Sequence, residues 1–178
     1  MALEPGTHTL GPENGTFTVE TKRKGAAQKA GHDLVIEVTR WEGTLEIGDD
    51  PKVALTADSG SFNVLQGTGG VKSLDDDDKA GIKRTVDEEV LMGAPVEFRS
   101  SKVELADDRK GARVDGELEL AGRRGPISFE LRSEDDSRLT GRAVVKQTDF
   151  GMKPYTALFG TLKVADEVVV AIDARLPG

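Results

Sequence analysis

Apolar residues recur at every second position along most of this chain, and that period sends successive side chains to opposite faces of an extended strand. A chain patterned this way builds sheets. Phe17, Val19 and Thr21 alternate with Thr18, Glu20 and Lys22, and a basic, Gly/Ala-rich connector runs from Arg23 to Gly31. Leu34, Ile36 and Val38 oppose Asp33, Glu37 and Thr39, with Val35 the exception. Trp41 to Ile47 continues after a bend read at Glu42-Gly43, and Gly48-Asp49-Asp50-Pro51 spells a turn. Val53, Leu55 and Ala57 follow, then Asp58-Ser59-Gly60 turns into Phe62 and Val64. After Pro95 the alternation resumes through Val96 and Phe98; Val114, Leu118 and Leu120; Ile127, Phe129 and Leu131; Leu139 and Val145; and Val168, Val170 and Ile172. Turn clusters at Ala106 to Gly111, Ala121 to Pro126 and Glu134 to Ser137 separate these runs.

The pattern amounts to roughly eight to ten strands, joined mostly by turns too short for parallel crossovers. An antiparallel sheet of that size hides its apolar face by folding over into a sandwich or by closing into a barrel, and the residues leave both open. The lack of self-similar blocks argues against a propeller or solenoid. Between Gln66 and Asp78 the periodicity vanishes. That stretch holds Gly67, Gly69, Gly70 and four consecutive acids, Asp75 to Asp78, and reads as an exposed loop. Ile82, Val86, Val90 and Leu91 then recur at helical spacing, with acids before them and Gly93-Ala94-Pro95 as a stop. The short helix so predicted has one apolar stripe, which needs a surface to cover.

A chain of 178 residues with 37% apolar content is expected to form one domain, 1–178, around one sizeable core. Acids outnumber bases 32 to 24, and a net charge of −8 opposes binding to a phosphate backbone, so nucleic acid is not an expected partner. The absence of Cys excludes disulfides and thiolate metal sites, and His8 and His32 alone are too few for a typical zinc site, so no metal and no cofactor is expected. Met1 to Gly15 carries no basic, apolar leader, and no run is long enough to form a transmembrane segment. The chain as written therefore reads as cytoplasmic, a periplasmic or extracellular place staying open if a leader precedes it. A homodimer is compatible with this composition.

Several short motifs invite chemistry that their context denies. Gly67 to Ser73 (GTGGVKS) looks like a phosphate loop, yet Gly67 and Gly70 stand too close together and Val71 separates Gly70 from Lys72. Asp75 to Asp78 lack the alternation and central Gly of a calcium loop. His32 lies in register with Leu34, Ile36 and Val38, near a strand end, without a nucleophile elbow anywhere in the chain. Asp149-Phe150-Gly151 spells a kinase tripeptide in the absence of that fold's other parts. The basic stretch Lys22, Arg23, Lys24 and Lys29 has no interleaved aromatics for single-stranded nucleic acid.

Five pieces stand in a distinctive order. These are Gly31-His32-Asp33 entering an early strand; Pro95-Val96-Glu97-Phe98-Arg99-Ser100, a P-x-x-F-x-S strand; Gly116-x-Leu118-x-Leu120-x-Gly122 before a Phe-bearing strand; Asp149-Phe150-Gly151 after a long strand; and Asp166-Glu167-Val168 opening the last apolar strand. In that order, across roughly residues 16 to 176, the chain resembles the YceI-like family of bacterial lipid-binding, lipocalin-like proteins. Two segments depart from the family's pattern: Ile82 to Glu89 replaces its usual helix and F-F-D segment, and Lys146-Gln147-Thr148 precedes Asp149 where an Arg is common.

The resemblance implies an all-β fold, an eight-stranded antiparallel lipocalin-like barrel with a short helix covering one opening. It also implies a non-enzymatic role: binding, carriage or storage of a long apolar isoprenoid-type lipid, a polyisoprenoid or an isoprenoid quinone, in an elongated cavity. The composition agrees, since six Phe, one Trp and one Tyr against 21 Gly leave an interior lined mainly by aliphatics, which fill a small barrel less completely. The expected ligand wall is Phe17, Val19, Leu34, Ile36, Val38, Phe62, Val64, Phe98, Leu118, Phe129 and Leu131, with Trp41, Phe150 and Met152 at a mouth. His32, Lys83 and Arg84 are the expected head-group contacts, because a buried polar head needs donors or charge. The competing readings are a solid core in which Phe17, Phe62, Phe98 and Phe129 meet, a cavity enzyme with His32 as acid or base, and a stress-linked interaction module.

Overall fold

The computed structural model describes residues 3–134, 137–157, 160 and 162–176. The first half of the chain forms strands β1 (Gly6–Leu10), β2 (Gly15–Thr21), β3 (Arg23–Lys24), β4 (His32–Val38), β5 (Trp41–Ile47), β6 (Lys52–Ala57) and β7 (Phe62–Gly69). A helix follows, and then β8 (Val96–Leu105), β9 (Gly111–Leu120), β10 (Arg123–Ser133), β11 (Arg138–Lys146), β12 (Thr156–Ala157), β13 (Leu162–Val164) and β14 (Glu167–Arg175). Eleven of these make one antiparallel sheet in the order β1-β5-β6-β8-β9-β10-β11-β14-β2-β4-β7, and β12-β13-β3 form a small second sheet. Among the expected turns, Glu134 to Ser137 includes Asp135 and Asp136, which lie outside the described residues.

The order of the large sheet forces it to curl. β5 and β4 sit toward its opposite ends, yet only Thr39 and Arg40 separate them along the chain. Across that break the pairing continues: the Thr39 N–H donates to the Ser61 carbonyl at 3.0 Å and the Asp58 N–H to the Arg40 carbonyl at 3.0 Å. The hairpin is therefore kinked rather than cut, and the kink lies before Trp41, not at Glu42-Gly43 as the sequence suggests. Val35, the exception to the alternation, borders a register shift between Val35 and Ile36. A second shift between Ser100 and Lys102 moves Val103 and Leu105 of β8 into register with Val114 and Ala112 of β9.

The strand count differs from the eight that the resemblance implies, for two reasons. The kinks at 39–40 and 58–61 divide two long strands into β4 with β5 and β6 with β7, and β1 pairs with β5 from a segment whose Gly, Thr and His show no clear alternation.

The stretch expected to be a loop also differs. β7 extends to Gly69, and α1 (Asp76–Thr85) begins inside the acidic run. The Asp75 carboxylate accepts from the Asp78 N–H at 2.7 Å while Asp78 accepts from the Asp75 N–H at 3.1 Å, a reciprocal cap. Carboxylates in a first turn are also favoured by the helix dipole, so four adjacent acids mark a helix start here. The helix widens into a π-type turn at Val86–Val90 and ends beside buried Leu91. It is fastened to the hairpin kink by the Ser59 hydroxyl, which donates to the Asp87 carboxylate at 2.6 Å.

Candidate functional site

At the end of the roll where β8 turns into β9 the inward side chains meet and exclude solvent. Val114 is 0% exposed, and Leu45 and Leu139 are each 1% exposed. Val114 sits between Val103 on β8 and Phe129 on β10, so large side chains close over it from both neighbours. Toward the opposite end the inward faces no longer meet. They surround a cavity of about 620 Å³, inside the ~300–1,000 Å³ span typical of small-molecule sites.

The cavity wall is the alternation made solid. β2 supplies Phe17 and Val19, β4 Leu34 and Ile36, β7 Phe62, β8 Phe98, β9 Leu118, and β10 Phe129 and Leu131, all of them expected from the sequence. β6, β11 and β14 add wall residues that the expected list left out, among them Leu55, Ala143, Val168, Val170 and Ile172. The helix roofs the space with the stripe read from its spacing, Ile82, Val86, Val90 and Leu91. The four phenylalanines do not converge: Phe98 lies against Phe129 at 5.2 Å between centroids, Phe17 meets Trp41 edge-on at 5.7 Å, and all four Phe still border the open space.

Two glycines on inner faces help to set this shape. A Cβ on Gly116 would collide with the Arg99 carbonyl oxygen and lie 2.6 Å from the Phe98 ring, so glycine there seats that ring. A Cβ on Gly141 would come within 2.7 Å of Leu131. Beyond it Ala143 faces inward opposite Val170, and small β11 residues leave volume unfilled.

Not every expected contact borders the cavity. Val38, Val64 and Phe150 are buried elsewhere in the core. Trp41 is buried at 6% exposure beside Phe17, and among the described residues its Nε1 has no hydrogen-bond partner. Met152 does line the space, near Tyr155 and Val164 under the small sheet. The three head-group candidates sit outside it. His32 spends Nε2 on the Lys72 carbonyl at 2.7 Å, and Lys83 and Arg84 lie on α1 outside the lining. The polar side of the rim is instead acidic, with Asp77 and Asp78 from the first turn of α1. Asp78 is held below the usual carboxylate range, chiefly by the Asp75 backbone N–H, with Lys72 adding to the effect.

Gln147 was also left off the expected wall. Gln147 follows Val145 at period two, and the end of β11 carries it onto the inner face at 6% exposure. Its amide Nε2 donates to the Ala165 carbonyl at 3.1 Å. Among the described residues no cluster of His, Cys, Asp or Glu is arranged to hold a metal ion, and no helix is long and apolar enough to cross a membrane.

A curled antiparallel sheet enclosing an apolar hollow beneath a helix defines an all-β, lipocalin-like class of protein. The chain belongs to the YceI-like family: the model of the YceI-like domain matches residues 14–176. Among solved structures it is similar to Burkholderia cenocepacia BcnA, with a TM-score of 0.62 at 14% identity, covering 89% of this chain and 94% of that one. It is similar also to the Campylobacter jejuni YCEI protein, with a TM-score of 0.54 at 13% identity over 78% of this chain and 81% of that one. Identities this low speak to a common fold. No curated protein sequence matches the chain.

Proposed function

We propose that this protein binds, carries or stores a long apolar isoprenoid-type lipid, a polyisoprenoid or an isoprenoid quinone, without chemical change, as one domain built round one cavity. The observation that carries the reading is the unfilled apolar hollow itself, walled by strands and roofed by the Ile82, Val86 and Val90 stripe. A well-packed interior has few voids larger than a water molecule. A hollow of about 620 Å³ with aliphatic walls forgoes that packing, and an apolar guest restores it.

Each methylene withdrawn from water contributes about 0.8 kcal/mol, so a tail of roughly ten methylenes supplies about 8 kcal/mol before association and ordering costs. Affinity of that origin reads length and polarity. A closed sheet of about eight strands is the size that holds one small ligand, and the curl of this eleven-stranded sheet round the hollow supports the reading.

The reading is tested by extracting the purified protein with organic solvent, identifying co-purified lipid by mass spectrometry, and measuring uptake of added geranylgeraniol by the delipidated protein. Recovered isoprenoid, or saturable uptake at one molecule per chain, is expected. An empty extract combined with no uptake overturns the proposal.

A further inference from the structure

Gln147 is the one buried polar side chain among the described residues of the cavity wall. Its backbone is fixed on both sides. The N–H donates to the Asp166 carbonyl at 2.9 Å, and its carbonyl accepts from the Met152 N–H at 3.2 Å. The side-chain amide is oriented as well, because the Ala165 carbonyl can only accept, so the nitrogen must face it. Among the described residues that is the one hydrogen bond found for the side chain, and because Gln147 borders the cavity its second N–H and Oε1 are open to a partner inside it. An amide at the wall of an apolar hollow favours a ligand atom that pairs with it.

We propose that Gln147 anchors the ligand's head and selects a neutral oxygen-bearing group, a hydroxyl or a carbonyl, over a phosphate or diphosphate. The inference rests on the carrier reading and adds to it the class of head and its place, under the small sheet rather than under the α1 cations. An uncharged amide does not offset the burial of a diphosphate's charge. The rest of the wall turns no cation toward an anion. Asp77 and Asp78 on the rim repel it, and Arg142, the one cation among the described lining residues, lies between inward-facing Gly141 and Ala143, so strand alternation turns its side chain outward. A hydroxyl head can donate to Oε1 and accept from the free N–H; a quinone carbonyl can accept from the N–H alone.

The test compares the binding of geranylgeraniol, geranylgeranyl diphosphate and the hydrocarbon phytane to delipidated wild type and to Gln147→Met and Gln147→Arg. Methionine nearly matches glutamine in length and removes its hydrogen bonds, while the backbone bonds of residue 147 persist. Wild type is expected to prefer the alcohol to the diphosphate. Gln147→Met should bind the alcohol about tenfold more weakly while holding phytane as well as before, and Gln147→Arg should gain affinity for the diphosphate. A merely structural role would move alcohol and hydrocarbon together. Binding of all three probes with an unchanged alcohol-to-phytane ratio in Gln147→Met, or a wild-type preference for the diphosphate, overturns the head-group inference and leaves the carrier reading standing. Failure of wild type to bind any probe overturns both.

Discussion

Val114 and Val170 are the same residue on the same kind of strand, both turned toward the axis of the roll, and their surroundings are opposite. Val114 lies between Val103 and Phe129 and is sealed from solvent, whereas Val170 lies between Ala143 and Val19 and borders empty space. Inward orientation is thus one property and filling is another. The first follows from the two-residue period of a strand. The second follows from the sizes of residues that meet across strands distant in sequence, such as Gly141 and Ala143 on β11 against Ile172 and Val170 on β14.

The difference is sharpest when volume is added. Val114→Phe forces a ring into a sealed site and is expected to cost about 3 kcal/mol in urea denaturation. Val170→Phe should change stability by less than about 1 kcal/mol and should sharply reduce lipid uptake, because its ring occupies the hollow. Equal destabilisation by the two would mean that the hollow is as full as the packed end.

Removing volume gives the weaker form of the same contrast. Val114→Ala loses two methyl groups and leaves a void, an expected cost of about 2 kcal/mol. Val170→Ala, already beside a void, should cost less than about 1 kcal/mol. Denaturation midpoints of the two variants at constant m-value check the ordering.

Much of this architecture was legible in the sequence. Alternation placed Phe17, Leu34, Ile36, Phe98, Leu118 and Leu131 on the wall, and helical spacing placed Ile82 and Val86 on the roof. Three kinds of feature stayed hidden. Val103 and Leu105 follow a bulge at Ser101, which shifts the phase of β8 and hides them from any fixed period. The acids Asp75 to Asp78 read as a solvated loop because their reciprocal capping depends on backbone geometry rather than on polarity. Charge marked His32, Lys83 and Arg84 as head-group contacts. Uncharged Gln147 carries no such mark, and its position two residues after Val145 is the signal that puts it on the inner face.

The smallest expected effect belongs to the outside of the packed end, where the Arg138 Nε donates to Asp173 at 2.9 Å and joins β11 to β14. Hydrogen bonding to Arg138 is the largest cause holding Asp173 below the usual carboxylate range. A depressed carboxylate contributes stability that is present above its unfolded pKa of about 3.9 and is lost as pH falls through the lower folded value. Arg138→Gln should therefore be slightly less stable than wild type at neutral pH, the effect being small because both side chains are nearly half exposed, and the two should converge below about pH 4. Lipid uptake should be unaffected, since neither residue borders the hollow.

The hollow, and not an outer face, is expected to hold the guest. The most direct measurement is a crystal structure of the delipidated protein soaked with a terminally brominated isoprenoid alcohol, with the bromine located by its anomalous scattering. The bromine is expected inside the roll toward Leu45 and Leu139, and the oxygen beside Gln147. Bromine on an outer face, or an interior closed by the protein's own side chains, would contradict it.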